Sequence, residues 1–207
     1  MSSTQQIRIP VVISAPHVYL TAEVIEELFC DKYRLHVQSA LSQTMQFAAE
    51  ESVTLIGPRG RISNVRIIGP PRSANQVELS RSDALTLGID APVRESGDLA
   101  GTPGILIEGP RTSARLHSGV IRPLPHVHMT PADAARFKVT DHDRIDVVCD
   151  NRGRAPLLRN VIVHVSPRFR LELHLDADEG TATGLRSGDY VVASSTNPSA
   201  INEGQPS

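Results

Sequence analysis

Tryptophan is absent from this sequence, and phenylalanine and tyrosine together number only seven among 207 residues. A platform of aromatic rings for stacking nucleic-acid bases or sugars is therefore not expected, and aliphatic side chains must fill the core. Cysteine is nearly absent as well, since Cys30 and Cys149 are far apart and belong to no C-x-x-C pair. This excludes a disulfide framework and a cysteine zinc site, and it favours a reducing, cytoplasmic location.

Excess charge of one sign and long apolar runs are also missing. The 21 basic and 23 acidic residues leave a formal net charge of −2, so there is no field to hold nucleic acid or an anionic membrane. No stretch approaches the roughly eighteen apolar residues that a membrane-spanning helix requires, and the opening "MSSTQQIRIPVVIS" lacks the pattern of a signal peptide. We therefore expect a soluble protein with neither a nucleic-acid nor a membrane partner.

Short runs rich in β-branched residues dominate the chain, and turn sequences such as "GPRGR" and "DNRGRAP" separate them. The predicted strands are "RIPVVIS", "VTLIG", "RISNVRIIG", "RIDVVCD", "NVIVHVS", "LELHLD" and "DYVVAS". Three short helices are predicted from their capping residues, at "AEVIEELF" after Thr21, at "PADAARF" after Thr130, and at "ALTLG" opened by Ser82 or Asp83. This pattern predicts a mostly β fold of barrels or sandwiches, in two small domains.

Two further segments are predicted to lack regular structure. Residues 95–104 ("ESGDLAGTPG") form the strongest internal loop signal. Residues 194–207 have no apolar periodicity, and we expect a disordered tail there.

The chain contains an internal repeat. The matching pairs are "PHVYLT" at 16–21 with "PHVHMT" at 125–130, and residues 58–89 with residues 151–185, which share Arg-Gly-Arg, Asn-Val, Pro-Arg and a closing glycine in order. An offset of 96 residues then places Glu78 opposite His174 and Gly88 opposite Gly184. The pattern indicates an ancient duplication, with metal-ligand side chains at one equivalent place.

The second copy offers three histidines as a candidate zinc site. His126 and His128 alternate along a strand, so both project from the same face, and His174 is the natural third ligand. Three imidazoles with one open position are typical of catalytic zinc. His-x-His alone is a weak signal, and a single histidine between leucines is more often a hydrogen-bonded, half-buried residue. The repeat favours the zinc interpretation.

The first copy offers His17, Tyr19 and Glu78 at the equivalent places. Histidine and glutamate are ordinary zinc ligands, whereas a phenol titrates near pH 10 and must lose its proton to bind metal well. Tyr19 as a packed aromatic and Glu78 as a solvated charge are the alternatives. His36 is a candidate replacement for the missing imidazole, although an isolated strand histidine is more often on the surface.

Arg72 is a candidate anion-binding residue. Two prolines stiffen the loop "GPPRSANQVELS" ahead of it, and its planar guanidinium can grip a phosphate or carboxylate through two parallel hydrogen bonds. The hydroxyl of Ser73 is its neighbour in the chain. Taken alone, an arginine at a strand entrance is more often a surface residue.

Taken together, these motifs resemble the PduL-type phosphotransacylases, or phosphate propanoyltransferases. The resemblance covers roughly residues 8–190 and rests on "IPVVISAPHVYLT", "LSQTMQFAAEESVTLIGPRGRI", "GPPRSANQVELSRSDALTLGI", "VRESGDLAGTPG", "HVHMTPADA" and "VSPRFRLELHLDADE". It implies two β-barrels capped by short helices, one formed by residues 6–15 with 124–193 and the other by residues 16–123. It also implies two metal ions, normally zinc, in a pocket between the barrels. It also implies reversible transfer of a propanoyl or acetyl group between coenzyme A and inorganic phosphate. The transfer would proceed by direct, metal-assisted attack of phosphate on the thioester of the acyl-CoA, giving acyl phosphate.

Carried over residue by residue, the resemblance implies one metal ion bound by His126, His128 and His174, and a second bound by His17 and Glu78. It implies that Arg72, as the catalytic residue, binds phosphate. It also implies that Ser73 and Gln46 contact the substrate. The family pattern Ser-Ala-Arg-His-Val-His is changed in this chain, with Pro16 in place of the arginine and Tyr19 in place of the second histidine. The family pattern "LSQPGQFA" reads "LSQTMQFA" here. The alternative is a divergent zinc-binding relative with an impaired first metal site and lost or altered activity, and a zinc hydrolase or thioesterase is a third interpretation.

The resemblance also bears on location and assembly. Family members that enter bacterial microcompartments carry an extra N-terminal amphipathic segment, and here only "MSSTQQIR" precedes the first strand. We therefore expect cytoplasmic residence without packaging. The sequence is compatible with a homodimer.

Overall fold

The computed structural model describes residues 7–149 and 156–193, and the tail predicted at 194–207 lies outside them. The strands in the described residues are β1 Arg8–Ser14, β2 His17–Tyr19, β3 Val37–Ala40, β4 Phe47–Ile56, β5 Arg61–Gly69, β6 Gln76–Glu78, β7 Val93–Arg94, β8 Ile105–Glu108, β9 Ser113–Leu116, β10 Val120–Pro123, β11 His126–Met129, β12 Arg144–Val148, β13 Leu157–Val165, β14 Glu172–Asp176 and β15 Tyr190–Ala193. The helices are α1 Ala22–Leu28, α2 Arg81–Leu87, α3 Pro131–Phe137 and α4 Ala177–Thr183.

The predicted mostly β fold is confirmed. The described chain divides into two compact units, one made of residues 7–13, 125–149, 156–175 and 179–193, the other of residues 14–124 and 176–178. The domain bounds predicted for two β-barrels, at 6–15 with 124–193 and at 16–123, stay a prediction. No helix in the described ranges is long and apolar enough to cross a membrane.

The first unit is a closed six-stranded barrel in the order β1, β14, β11, β13, β12, β15. Strand β11 runs antiparallel to β14 and parallel to β13. Alternate side chains enter the apolar core, and on these strands they are Val127, Met129, Leu173 and Leu175. Each such fully buried side chain contributes about 1.5 to 3 kcal/mol to stability. The residues between them project from the opposite face.

The second unit is a nine-stranded half-barrel sheet in the order β7, β10, β6, β2, β5, β4, β8, β9, with β3 paired to β4. Strand β2 runs antiparallel to β6 and parallel to β5, as β11 does with β14 and β13. Val18 and Val77 point into the core of this unit. Their neighbours along β2 and β6 therefore project from the opposite face.

The helix ends follow local capping chemistry. Thr21 and Thr130 cap α1 and α3 as predicted, and Pro131 begins α3. The start predicted for α2 at Ser82 or Asp83 is wrong, because Ser80 is the cap. The Ser80 hydroxyl accepts from the backbone N–H of Asp83 while the Asp83 carboxylate accepts from the backbone N–H of Ser80, a reciprocal pair that starts the helix earlier.

The predicted repeat recurs in the backbone geometry, with the same offset of 96 residues. Asn64 and Asn160 have φ of 60° and 58°, and Gly88 and Gly184 have φ of 73° and 71°. Left-handed backbone is uncommon for a residue other than glycine, so the close values at Asn64 and Asn160 are a specific match. The repeat also accounts for α4, which was not predicted from its own sequence but is the counterpart of α2.

One departure from the family motif lies in a tight turn. The backbone N–H of Gln46 donates to the carbonyl of Gln43 at 3.1 Å, and Met45 has a φ of 71°. A four-residue turn with positive φ at its third position is a type II turn, which favours proline then glycine at its two centres. This chain has Thr44 and Met45 there, so the left-handed residue carries strain that glycine would not.

We expect Met45→Gly to raise the free energy of unfolding by about 1 kcal/mol, because the strain disappears and little burial is lost. The Met45 side chain is 73% exposed. Urea denaturation measures the change. Thr44→Gly is the matched control, since Thr44 has no positive φ, and it should destabilise slightly. Equal effects of the two glycines would show that Met45 is unstrained.

Candidate active site

Three histidines converge on β11 and β14, on the face opposite the barrel core. His126 and His174 are direct partners across the two antiparallel strands, and His128 lies two residues along β11 on the same face. One ligand nitrogen from each ring lies within 4.8 Å of the others. The structure therefore brings together the three residues that the sequence predicted.

The rings of this group pack closely. His126 and His174 are stacked with centroids 5.1 Å apart, and the ring of Phe169 covers His128 at 4.2 Å. Burial first, and then the neighbouring histidine rings, lower the pKa of His128 to about 2. Its imidazole is therefore neutral near pH 7, which is the form that binds a metal.

A carboxylate adjoins the three imidazoles. Oε2 of Glu172 lies 3.6 Å from Nε2 of His174, and among the described residues this buried oxygen has no hydrogen-bond partner. A buried carboxylate oxygen is costly without a cation or donor, and three imidazoles with an adjoining carboxylate are a ligand set that suits zinc. The residues of this face thus fit a zinc ion.

The equivalent face of the second unit carries His17 and Glu78, which are partners across β2 and β6. Nδ1 of His17 donates to the carbonyl of Ala15 at 2.9 Å, and its Nε2 lies 3.2 Å from Oε2 of Glu78. Burial lowers the pKa of His17, but Glu78 and the Ala15 hydrogen bond together outweigh burial, so the pKa is raised. The two side chains form a charge-assisted pair.

This pair offers a metal two ligands, not three. In the part of the chain that the structure describes, no third histidine, cysteine or acidic side chain joins them in a group whose ligand atoms lie within 4.8 Å. His36 does not supply the missing imidazole, because its Nδ1 is paired with Oε1 of Glu51 at 2.7 Å. The metal predicted at His17 and Glu78 therefore stays a prediction.

Glu78 is held in place by its neighbours. Nε2 of Gln76 and Oγ of Ser96 both donate to Oε1 of Glu78, the latter at 3.1 Å. The backbone N–H of Gly97 donates to Oε1 of Gln76 at 2.9 Å. One carboxylate oxygen thus accepts from two donors while the other faces His17. The predicted loop at 95–104, which has no helix or strand, is tied to this site.

Tyr19 is buried beside this pair. Its ring meets that of His17 edge-on at 5.2 Å, and Cζ of Arg72 lies 3.2 Å from its centroid. Burial and then Glu78 raise the pKa of Tyr19, and the opposing effect of Arg72 is smaller. The phenol therefore keeps its proton near pH 7, which makes it a poor metal ligand.

Two contacts hold the loop that carries Arg72, one at Arg72 itself and one at the start of the loop. The backbone N–H of Arg72 donates to the carbonyl of Leu20, one residue past β2, at 2.9 Å. Phe47 of β4 pairs with Gly69 of β5, and a Cβ at Gly69 would lie only 2.3 Å from the Phe47 ring. Gln46, just before Phe47, therefore lies beside the start of this loop. Ser73 is exposed on the same loop.

Residues 10–186 match a family model described as phosphate propanoyltransferase. A phosphate propanoyltransferase of Citrobacter rodentium is 48% identical over 176 residues, which are 85% of this chain and 83% of that protein. The chain belongs to the phosphate propanoyltransferase family. Relatives of the same name from Salmonella typhimurium and Thermotoga maritima are each 45% identical, over 89% and 86% of this chain and 87% and 85% of their own lengths.

Family membership confirms the resemblance found in the sequence motifs, and with it the prediction that the chain is an enzyme. In this member of the phosphate propanoyltransferase family, the motif residues that the resemblance singled out fall into two groups. His126, His128 and His174 form the group on the barrel. His17, Tyr19, Arg72 and Glu78 form the group on the half-barrel sheet.

Sequence reasoning missed several polar neighbours of these two groups of residues. Gln76 and Glu172 lie two residues before Glu78 and His174, so the same-face spacing could have found them. His164 is half-buried and pairs with His128 across β11 and β13. Ser96 carries no such signal, because only the fold brings its loop to Glu78.

Proposed function

We propose that this protein transfers a short acyl group, propanoyl or acetyl, between coenzyme A and inorganic phosphate. The observation that carries the proposal is the family match over residues 10–186, which includes both groups of candidate site residues. The substrates are acyl-CoA and phosphate, and the products are acyl phosphate and free coenzyme A. Because the free energies of hydrolysis of a thioester and of an acyl phosphate are comparable in magnitude, the reaction runs in both directions.

The phosphate is assigned to Arg72. A guanidinium presents parallel N–H groups that match two oxygens of a phosphate, and such charge-assisted pairs are stronger than neutral hydrogen bonds. Ser73 and Gln46 are proposed as further substrate contacts, since Ser73 is exposed beside Arg72 and Gln46 lies by the start of the same loop. Holding phosphate in a fixed orientation favours its attack by reducing the entropy that a bimolecular step must lose.

The proposed chemistry is a single displacement at the thioester carbonyl. An oxygen of hydrogen phosphate forms a bond to the carbonyl carbon, the carbon–sulfur bond breaks, and coenzyme A leaves as a thiolate that takes up the proton lost by the phosphate. His126, His128 and His174 would hold a zinc ion as neutral imidazoles. When bound, the zinc supplies a Lewis acid for the negative charge that develops on the thioester.

No acyl-enzyme is proposed. Cys149 is buried in the barrel core, where burial raises the pKa of its thiol, so it is a poor nucleophile. Cys30 is a free, exposed thiol that follows α1 and joins neither group of candidate site residues. Two free cysteines fit a reducing compartment, and cytoplasmic residence is part of the proposal.

The test is release of the coenzyme A thiol from propanoyl-CoA and acetyl-CoA, with and without inorganic phosphate. We expect thiol release only when phosphate is present, with one acyl phosphate, trapped as its hydroxamate, for each thiol. Thiol release that is equally fast without phosphate, and that gives no hydroxamate, would instead identify a thioesterase.

A further inference from the structure

The guanidinium of Arg72 stacks on the aromatic ring of Tyr19. Cζ of this guanidinium lies 3.2 Å from the centroid of Tyr19, and Tyr19 is only 8% exposed. A cation over an aromatic face is attracted by the ring quadrupole, and the attraction is largest where water is excluded. The guanidinium N–H groups lie in its own plane, so stacking on a ring leaves them directed sideways to meet an anion.

The ring of Tyr19 is itself fixed from two sides. Its edge contact with His17 is nearly perpendicular, with an interplanar angle of 80°, and His17 is paired with Glu78. Glu78 in turn accepts from Gln76 and Ser96. The chain of contacts therefore runs from a hydrogen-bonded carboxylate through an imidazole and a phenol ring to the guanidinium. A platform held in this way presents Arg72 in one orientation.

We propose that Tyr19 is a positioning residue that orients Arg72 for phosphate binding through its ring face. The proposal rests on the proposed function, in which Arg72 binds phosphate. It assigns Tyr19 a role other than metal ligation, and it explains why an aromatic ring stands where the family motif has histidine. The ring, and not the hydroxyl, is the part of Tyr19 that acts.

Two substitutions separate the ring from the hydroxyl. Tyr19→Leu removes the aromatic face, and we expect the KM for phosphate to rise about tenfold while the KM for propanoyl-CoA stays within about twofold. Tyr19→Phe keeps the face, and we expect it to retain a phosphate KM within about twofold of the parent protein. Tyr190→Leu is the matched control, because it removes another arginine–tyrosine stack, in which Cζ of Arg8 lies 4.4 Å from the ring of Tyr190.

A double-substitution cycle tests whether Tyr19 acts through Arg72. In an Arg72→Lys background, Tyr19→Leu should raise the phosphate KM by much less than it does alone, since residues that act together are not additive. Calorimetric titration with inorganic phosphate should show the same order of affinities without turnover. Circular dichroism checks folding, and Tyr19→Met replaces Tyr19→Leu if the latter does not fold.

Three outcomes would overturn the proposal. The first is a phosphate KM and a phosphate affinity in Tyr19→Leu equal to those of the parent protein. The second is a Tyr19→Phe variant as impaired as Tyr19→Leu, which would place the role in the hydroxyl. The third is full additivity with Arg72→Lys. If the parent protein shows no phosphate-dependent thiol release, the proposed function fails, while the calorimetric comparison still decides the role of Tyr19.

Discussion

Replacing His128 with alanine should remove most of the bound zinc and most of the acyl transfer. His128 is one of three imidazoles whose ligand atoms lie within 4.8 Å of one another, and a site with two ligands left holds zinc far less tightly. Loss of an outer contact alone costs a metal site about 10 to 100 times in affinity, so loss of a ligand should exceed that range. Metal analysis after dialysis and the phosphate-dependent thiol assay measure the two effects.

His117→Ala is the matched control, because His117 is an exposed histidine outside the candidate site, and it should change neither zinc content nor activity.

Glu78→Ala tests which of the two groups of residues binds zinc more tightly. Three imidazoles should bind zinc more tightly than one imidazole and one carboxylate, so Glu78→Ala should leave most of the zinc in place. If zinc is unchanged in His128→Ala and lost in Glu78→Ala, the assignment of the principal metal site is wrong.

Replacing Arg72 with lysine should raise the phosphate KM by about 10 to 100 times, since hydrogen bonds to charged groups are each worth about 1.5 to 3 kcal/mol. Lysine keeps the positive charge but loses the two parallel donors. The KM for propanoyl-CoA should change little, because the arginine is assigned to phosphate alone. Initial rates at varied phosphate and fixed, saturating propanoyl-CoA measure the effect.

Arg61→Lys serves as the control for this substitution. Arg61 is an exposed arginine that pairs with Glu108 at 2.9 Å, and its replacement should leave the phosphate KM as it is. Thermal unfolding of both variants should match the parent protein within a few degrees. A phosphate KM in Arg72→Lys equal to that of the parent protein removes Arg72 from the phosphate site.

Much of the fold could be predicted from local sequence. The strands "RIPVVIS" and "RISNVRIIG" coincide with β1 and β5, because β-branched runs bounded by turn residues define both ends. Strand β3 was not predicted, since all four of its residues are exposed and it carries no apolar alternation. Helix α4 was missed for a similar reason, as "ADEGTAT" contains a glycine and two threonines, which are weak helix formers.

The site shows the same division between local and long-range information. His126 and His128 could be placed on one face from their spacing alone, and the repeat supplied His174. The stacking of Arg72 on Tyr19 could not be predicted, because the two residues lie on separate elements and only the loop path brings them together. The hydrogen bond from Ser96 to Glu78 depends on tertiary structure in the same way.

Titration of zinc into the metal-free protein tests the central claim most directly. Bound zinc and phosphate-dependent thiol release are both measured after each addition. We predict that activity is absent without metal and rises as zinc fills the site of His126, His128 and His174. Full activity in the metal-free protein, or zinc that binds at this site without any gain in activity, would contradict this prediction.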